Sequence, residues 1–98
     1  MNYKELINKW GDCPDRQKMT ARQEREYVDD WYQTGTSLPT KPYSPLSSED
    51  KDYEGQEFEV VGILTEEEAD LECLPIWKIR MKDERILEAV CDEIFQFD

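Results

Sequence analysis

The 98-residue sequence contains no histidine, and its three cysteines form no C-x-x-C pair. Histidine is the commonest general base and metal ligand, so Ser-His-Asp and Cys-His catalytic arrangements are excluded. The four glycines build neither a Walker-type loop nor a dinucleotide-binding loop that could cradle a phosphate. We therefore expect a protein that is not an enzyme and that carries no cofactor.

Long apolar runs are also missing. Lys4, Glu5, Asn8 and Lys9 interrupt the apolar residues near the N-terminus, so we find no signal-peptide core and no membrane-spanning stretch. An odd number of cysteines cannot close completely into internal disulfides, which favours a reducing compartment. We expect a cytoplasmic protein that does not contact a membrane.

Charge is what the sequence has in excess. It carries 24 acidic and 12 basic residues, a formal net charge of -12. Residues 1–35 hold six basic and seven acidic side chains, so nearly all of the excess lies in residues 36–98. Such a field disfavours direct binding to nucleic acid and favours encounter with a protein that has a basic surface.

The pattern predicts a single α+β domain in three parts. A helical part covers residues 1–35, a proline-rich strap covers 36–54 and a small antiparallel β-barrel covers 55–98. In the helical part, apolar residues follow helical spacing over residues 2–10 and again over 20–35. Two short amphipathic helices are therefore expected to pack on the C-terminal half.

The strap is defined by Pro39, Pro42 and Pro45, which recur every third residue. This spacing matches the polyproline II helix and satisfies a P-x-x-P pattern that a partner's aromatic groove could bind. The commoner arrangement is an extended segment that lies across its own domain. Both interpretations are open from the sequence.

Apolar and polar residues alternate in the C-terminal part, which predicts strands near 58–64, 77–81 and 86–90. A single helical turn and a short terminal strand are expected over 92–97. Asp83 is followed by Glu84 where a tight hairpin would prefer glycine, so the turn is expected to exceed two residues. Short antiparallel strands can remove their free edges by curling into a small barrel.

Several positions of this part carry a resemblance to a known fold, namely Gly55, Phe58, Val60, Gly62, Leu74, Pro75, Trp77, Ile79, Glu93 and Ile94. The run resembles the Src-homology-3-like barrels of small accessory proteins from phages and mobile elements. The chain is also similar in size and charge to small acidic phage proteins, including anti-CRISPR proteins. That resemblance implies an inhibitor that occupies the nucleic-acid groove of its target.

An acidic stretch is the main candidate site. It holds eleven carboxylates offset only by Lys51: Glu49, Asp50, Asp52, Glu54, Glu57, Glu59, Glu66, Glu67, Glu68, Asp70 and Glu72. Carboxylates held at suitable spacings can imitate DNA phosphates and bind a partner's Lys and Arg side chains. The alternatives are a surface that only confers solubility and a Mg²⁺ or Ca²⁺ site in the dense 66–72 segment.

The basic residues of the second predicted strand and the cysteines are expected to have structural rather than binding or catalytic roles. The cations of the second predicted strand, Lys78, Arg80 and Lys82, are expected to pair with Glu57 and Glu59 across the sheet. Cys73 and Cys91 are expected to be small buried residues.

The second predicted helix carries the alternative interface. Its apolar face is aromatic and consists of Tyr27, Val28, Trp31 and Tyr32. This face could join a homodimer or a larger assembly, or it could simply be core. The runner-up function is therefore a small accessory interaction domain that assembles through this helix face.

Overall fold

The structure is a computed structural model that describes residues 2–12 and 14–97. Helix α1 spans Tyr3–Trp10 and helix α2 spans Ala21–Thr36. The Asn2 side chain accepts a hydrogen bond from the Glu5 N–H at the start of α1, and a reciprocal capping box links Thr20 and Gln23 at the start of α2. Both predicted helices are confirmed.

Three strands form the sheet: β1 (Glu59–Ile63), β2 (Trp77–Arg80) and β3 (Ile86–Ala89). They are antiparallel in the order β1-β2-β3, with a bulge between Val60 and Gly62. The predicted strands are present, but within residues 2–12 and 14–97 the sheet is open and β1 does not pair with β3. The architecture is thus α+β, and the described residues show no closed barrel.

The turn between β2 and β3 is longer than two residues, as predicted. The Met81 N–H donates to the Arg85 carbonyl, and the Glu84 N–H donates to the Met81 carbonyl. Glu84 has a φ of 74°, the left-handed conformation that glycine adopts most easily. A three-residue loop with its last residue in this conformation follows the twist of the flanking strands.

The strap lies across its own domain. Its backbone hydrogen-bonds to the C-terminal segment, with Lys41 N–H donating to the Ile94 carbonyl and Ser44 N–H to the Glu93 carbonyl. Tyr43 is buried in the core beside the sheet. The strap is not purely extended, since a 3₁₀ helix spans Ser48–Tyr53, where only a connector was expected. The Ser47 hydroxyl caps that helix by accepting from the Glu49 N–H.

The chain ends as the pattern predicts, with a helical turn followed by a short pairing. Helix α3 spans Cys91–Ile94, and Phe95 forms an antiparallel bridge with Thr40 of the strap. Two further 3₁₀ helices span Arg16–Lys18 and Leu71–Cys73.

The main core lies between the sheet, α2 and the strap. Its largest fully buried side chain is Trp77, around which Tyr43, Ile79, Ile94 and Phe95 pack. A second apolar cluster, built on Val28, Leu64 and Leu74, fixes α2 against the β1–β2 connection. None of the helices formed by the described residues is long and apolar enough to span a bilayer.

Candidate functional site

The structure divides the acidic stretch into two groups at opposite ends of β1. The acidic end precedes the strand and consists of Glu49, Asp50, Asp52, Glu54 and Glu57; the acidic loop follows it and consists of Glu66, Glu67, Glu68, Asp70 and Glu72. Glu59 lies on β1 itself. Because a strand rises about 3.3 Å per residue, the two ends of β1 lie roughly 13 Å apart. The acidic end contacts the β2–β3 turn and the acidic loop contacts Lys78, so they form two surfaces rather than one continuous cluster.

Ion pairs within the chain neutralise part of this charge. Arg80 pairs with Glu59, its direct neighbour across β1 and β2, as predicted. Lys78 does not pair with Glu57, because its register neighbour on β1 is Gly62, which offers no side chain. Its ammonium instead lies 2.8 Å from Glu68 of the acidic loop.

The acidic loop is partly used for internal structure. The Lys78 hydrogen bond lowers the pKa of Glu68, and the Thr65 N–H and hydroxyl contribute in the same direction. The single Nε–H of Arg25 donates a bifurcated hydrogen bond to the two carboxylate oxygens of Glu66, at 3.0 and 3.2 Å, which ties the loop to α2. Two of the five loop carboxylates thus hold the loop in place, and these exposed pairs contribute little stability each.

Seven exposed carboxylates of the stretch have no ion-pair partner among residues 2–12 and 14–97: Glu49, Asp52, Glu54, Glu57, Glu67, Asp70 and Glu72. Four of them belong to the acidic end. Asp50 of that group is half-buried and accepts from the Tyr43 hydroxyl at 3.4 Å. Among the described residues, the acidic end therefore keeps four exposed carboxylates without an ion-pair partner, and the acidic loop keeps three.

Two acids that the sequence does not connect with the stretch join the acidic end in space. The Tyr53 hydroxyl donates to Asp83 at 2.7 Å, which brings the β2–β3 turn, with Asp83 and Glu84, against the 3₁₀ helix of the strap. That hydrogen bond, followed by one from the Arg85 N–H, lowers the pKa of Asp83. The Arg85 guanidinium lies over the Tyr53 ring at 5.9 Å and offsets part of the charge. Tyr53 and Asp83 are 30 residues apart in sequence, so the sequence pattern gives no sign that Asp83 and Glu84 belong to the acidic end.

The dense carboxylates do not converge on a point. Over the described part of the chain, no three His, Cys, Asp or Glu side chains come close enough together to hold a metal ion. The 66–72 segment spreads its carboxylates over a loop, two of them directed to Arg25 and Lys78.

The aromatic face of α2 makes contacts within its own chain. Val28 is buried, and the Tyr32 hydroxyl donates to the Leu64 carbonyl at 2.7 Å and accepts from the Ile76 N–H at 3.1 Å. Trp31 contacts the Tyr3 ring at a centroid distance of 6.1 Å. The helix face proposed for a homodimer is thus used to attach α2 to the sheet and to α1, while Tyr27, Trp31 and Tyr32 stay half-buried.

The cysteines differ in environment. Cys73 is exposed, so the prediction that it is a buried residue is wrong. It lies in the 3₁₀ helix Leu71–Cys73, from which Leu71 and the following Leu74 pack into the second apolar cluster. Cys91 is half-buried, and burial raises its pKa to about 12, which keeps it a neutral thiol near pH 7. Cys13 lies outside the described residues.

No protein-family model, no curated protein and no solved structure matches the chain. The resemblance to Src-homology-3-like barrels therefore stays a prediction, and function is inferred from the chain's own geometry and charge.

Proposed function

We propose that the protein is a non-enzymatic acidic inhibitor that binds the basic surface of a nucleic-acid-processing protein. The observation that supports this is the group of unpaired, exposed carboxylates at the acidic end, together with the turn acids Asp83 and Glu84. The chain's own cations on the sheet, Lys78 and Arg80, are already engaged with Glu68 and Glu59. Lys51 and Lys82 offset part of the remaining charge, and the excess of carboxylates at the acidic end is left for a partner.

Carboxylates on a folded scaffold can accept the charge-assisted hydrogen bonds that a nucleic-acid-binding protein otherwise donates to phosphates. The acidic end suits this role better than the acidic loop, because among the described residues only Asp50 of its five carboxylates is used internally, against two of five in the loop, and because Asp83 and Glu84 add to it. Its short 3₁₀ helix, capped by Ser47 and buttressed by the Tyr53–Asp83 hydrogen bond, holds the acids on a defined backbone. Binding there would exclude nucleic acid from the partner by direct competition.

The biological setting follows from the resemblance in size and charge. A phage-encoded protein that acts in the host cytoplasm against a defence enzyme, as anti-CRISPR proteins do, would have such an acidic, DNA-mimicking surface. A bacterial nuclease or nucleic-acid-binding effector is thus the class of partner that we propose.

The test compares two triple variants with the same change in charge. One replaces the acidic end, Glu49→Lys, Asp52→Lys and Glu54→Lys; the other replaces the unpaired acids of the loop, Glu67→Lys, Asp70→Lys and Glu72→Lys. Each immobilised protein is exposed to nuclease-treated bacterial lysate, and captured proteins are eluted with duplex DNA or with salt. Binding constants of the purified captured protein are then measured at low and high ionic strength.

We expect duplex DNA to displace the captured protein, and we expect its association rate to fall about tenfold or more at high salt. The acidic-end variant should lose capture, and the loop variant should retain most of it. Capture that survives the acidic-end reversal, or that resists both DNA and salt, would contradict the proposal.

A further inference from the structure

An open cleft of about 360 Å³ lies between α1, α2 and α3. Three of its walls are the half-buried rings of Tyr3, Trp31 and Phe97. The Tyr3 and Phe97 centroids are 4.9 Å apart, and the Trp31 ring stands edge-on to Phe97 at 6.2 Å. Aromatic groups from both ends of the chain are thus gathered around one concave site.

Two carboxylates also line this cleft. Asp12 follows the end of α1, and Asp92 lies in the first turn of α3. Burial raises the pKa of Tyr3, and the negative charges of Asp12 and Asp92 raise it further. Both carboxylates therefore lie close to the Tyr3 side of the cleft. Neither carboxylate has an ion-pair or hydrogen-bond partner within residues 2–12 and 14–97.

Arg16 is the one cation among the described lining residues, and it is already engaged. Its guanidinium donates to the Leu71 and Leu74 carbonyls, lies over the Tyr27 ring at 5.1 Å and has Glu24 at 3.4 Å. Its charge is balanced by Glu24. The remaining charge of the lining residues is therefore that of the two carboxylates, beside aromatic rings.

We propose that this cleft binds one arginine side chain of the partner protein. Aromatic rings attract a guanidinium through their faces, and arginine stacks on them better than lysine does because it is planar and weakly hydrated. The two carboxylates supply the acceptors for its N–H groups. This inference rests on the proposed basic partner and identifies an anchor residue, of the kind that often dominates an interface.

The test uses a small probe and no partner, so it can fail or succeed independently of the proposed function. N-acetyl-arginine amide is titrated into ¹⁵N-labelled protein, and N-acetyl-citrulline amide, which has nearly the same shape without the charge, serves as the comparison. The readouts are the indole N–H of Trp31 and the backbone amides of Asp12 and Asp92. We expect saturable shifts at these groups with the arginine probe and at least fivefold weaker binding of the citrulline probe.

Two double variants with the same change in charge distinguish binding in the cleft from attraction by the net negative charge of the protein. Asp12→Asn/Asp92→Asn should weaken arginine binding about tenfold, and Asp52→Asn/Glu54→Gln should leave it within about twofold. The single variants Asp12→Asn and Asp92→Asn replace the first if it does not fold. Equal binding of the two probes, shifts located outside the cleft, or no loss in the cleft variants would overturn the proposal.

Discussion

Replacing Gly35 with alanine tests how closely α2 packs on the sheet. Gly35 is buried near the end of α2, and a Cβ at this position would lie 2.6 and 3.0 Å from two ring atoms of Trp77. The ring has little freedom to move, because Tyr32 and Phe95 pack edge-on against it at 5.2 and 5.1 Å. The Trp77 indole N–H also donates to the Thr36 hydroxyl at 3.2 Å.

The expected cost follows from two opposed effects. An added methyl group in a packed core costs about 1–3 kcal/mol, and the 2.6 Å approach to Trp77 places this case in the upper part of that range, about 2–3 kcal/mol. Alanine favours the helix over glycine by about 1 kcal/mol at most. We therefore expect Gly35→Ala to lower the free energy of unfolding by about 1–2 kcal/mol, which lowers Tm by roughly 5–15 °C in a domain of this size.

Urea denaturation followed by tryptophan fluorescence and circular dichroism measures this change. The matched control is Gly62→Ala, whose Cβ would meet the Lys78 side chain at ordinary contact distances of 3.7 and 3.9 Å. The control should stay within about 0.5 kcal/mol of the native protein. If Gly35→Ala is as stable as the control, with an unchanged denaturant slope, the packing of Trp77 against α2 is refuted.

Two further predictions concern buried groups. Glu93 is 7% exposed and accepts from the backbone N–H groups of Leu46 and Val90 at 2.9 Å each, so it joins the strap to α3. Glu93→Ala leaves both donors without an acceptor and should cost about 2–4 kcal/mol in urea unfolding, and a loss below 0.5 kcal/mol would contradict this role. Cys91, with its pKa raised to about 12, should react with iodoacetamide at pH 8 far more slowly than exposed Cys73. Peptide mass mapping separates the two thiols, and equal rates would show that Cys91 is accessible as a thiolate.

Local chemistry made the helices and the turn predictable. The capping residues Asn2 and Thr20 mark helix starts, and their effect depends on neighbours three residues away. Period-two alternation located β1, β2 and β3, and the absence of glycine after Asp83 correctly indicated a longer turn. Closure of the sheet could not be read in this way, because alternation describes one strand and says nothing about its neighbours.

Composition and local spacing alone therefore determined the negative charge, the helices, the strands and the absence of histidine-based catalysis. Tertiary structure decided which charges remain available. The register of β1 and β2 places Gly62 opposite Lys78, and that lysine pairs with Glu68 instead. The Tyr53–Asp83 hydrogen bond brings two further acids to the acidic end. The tertiary structure also packed Val28 and Tyr32 of α2 against the β1–β2 connection. The physical reason is that pairing and burial depend on residues distant in sequence, whose approach is settled only when the whole core packs.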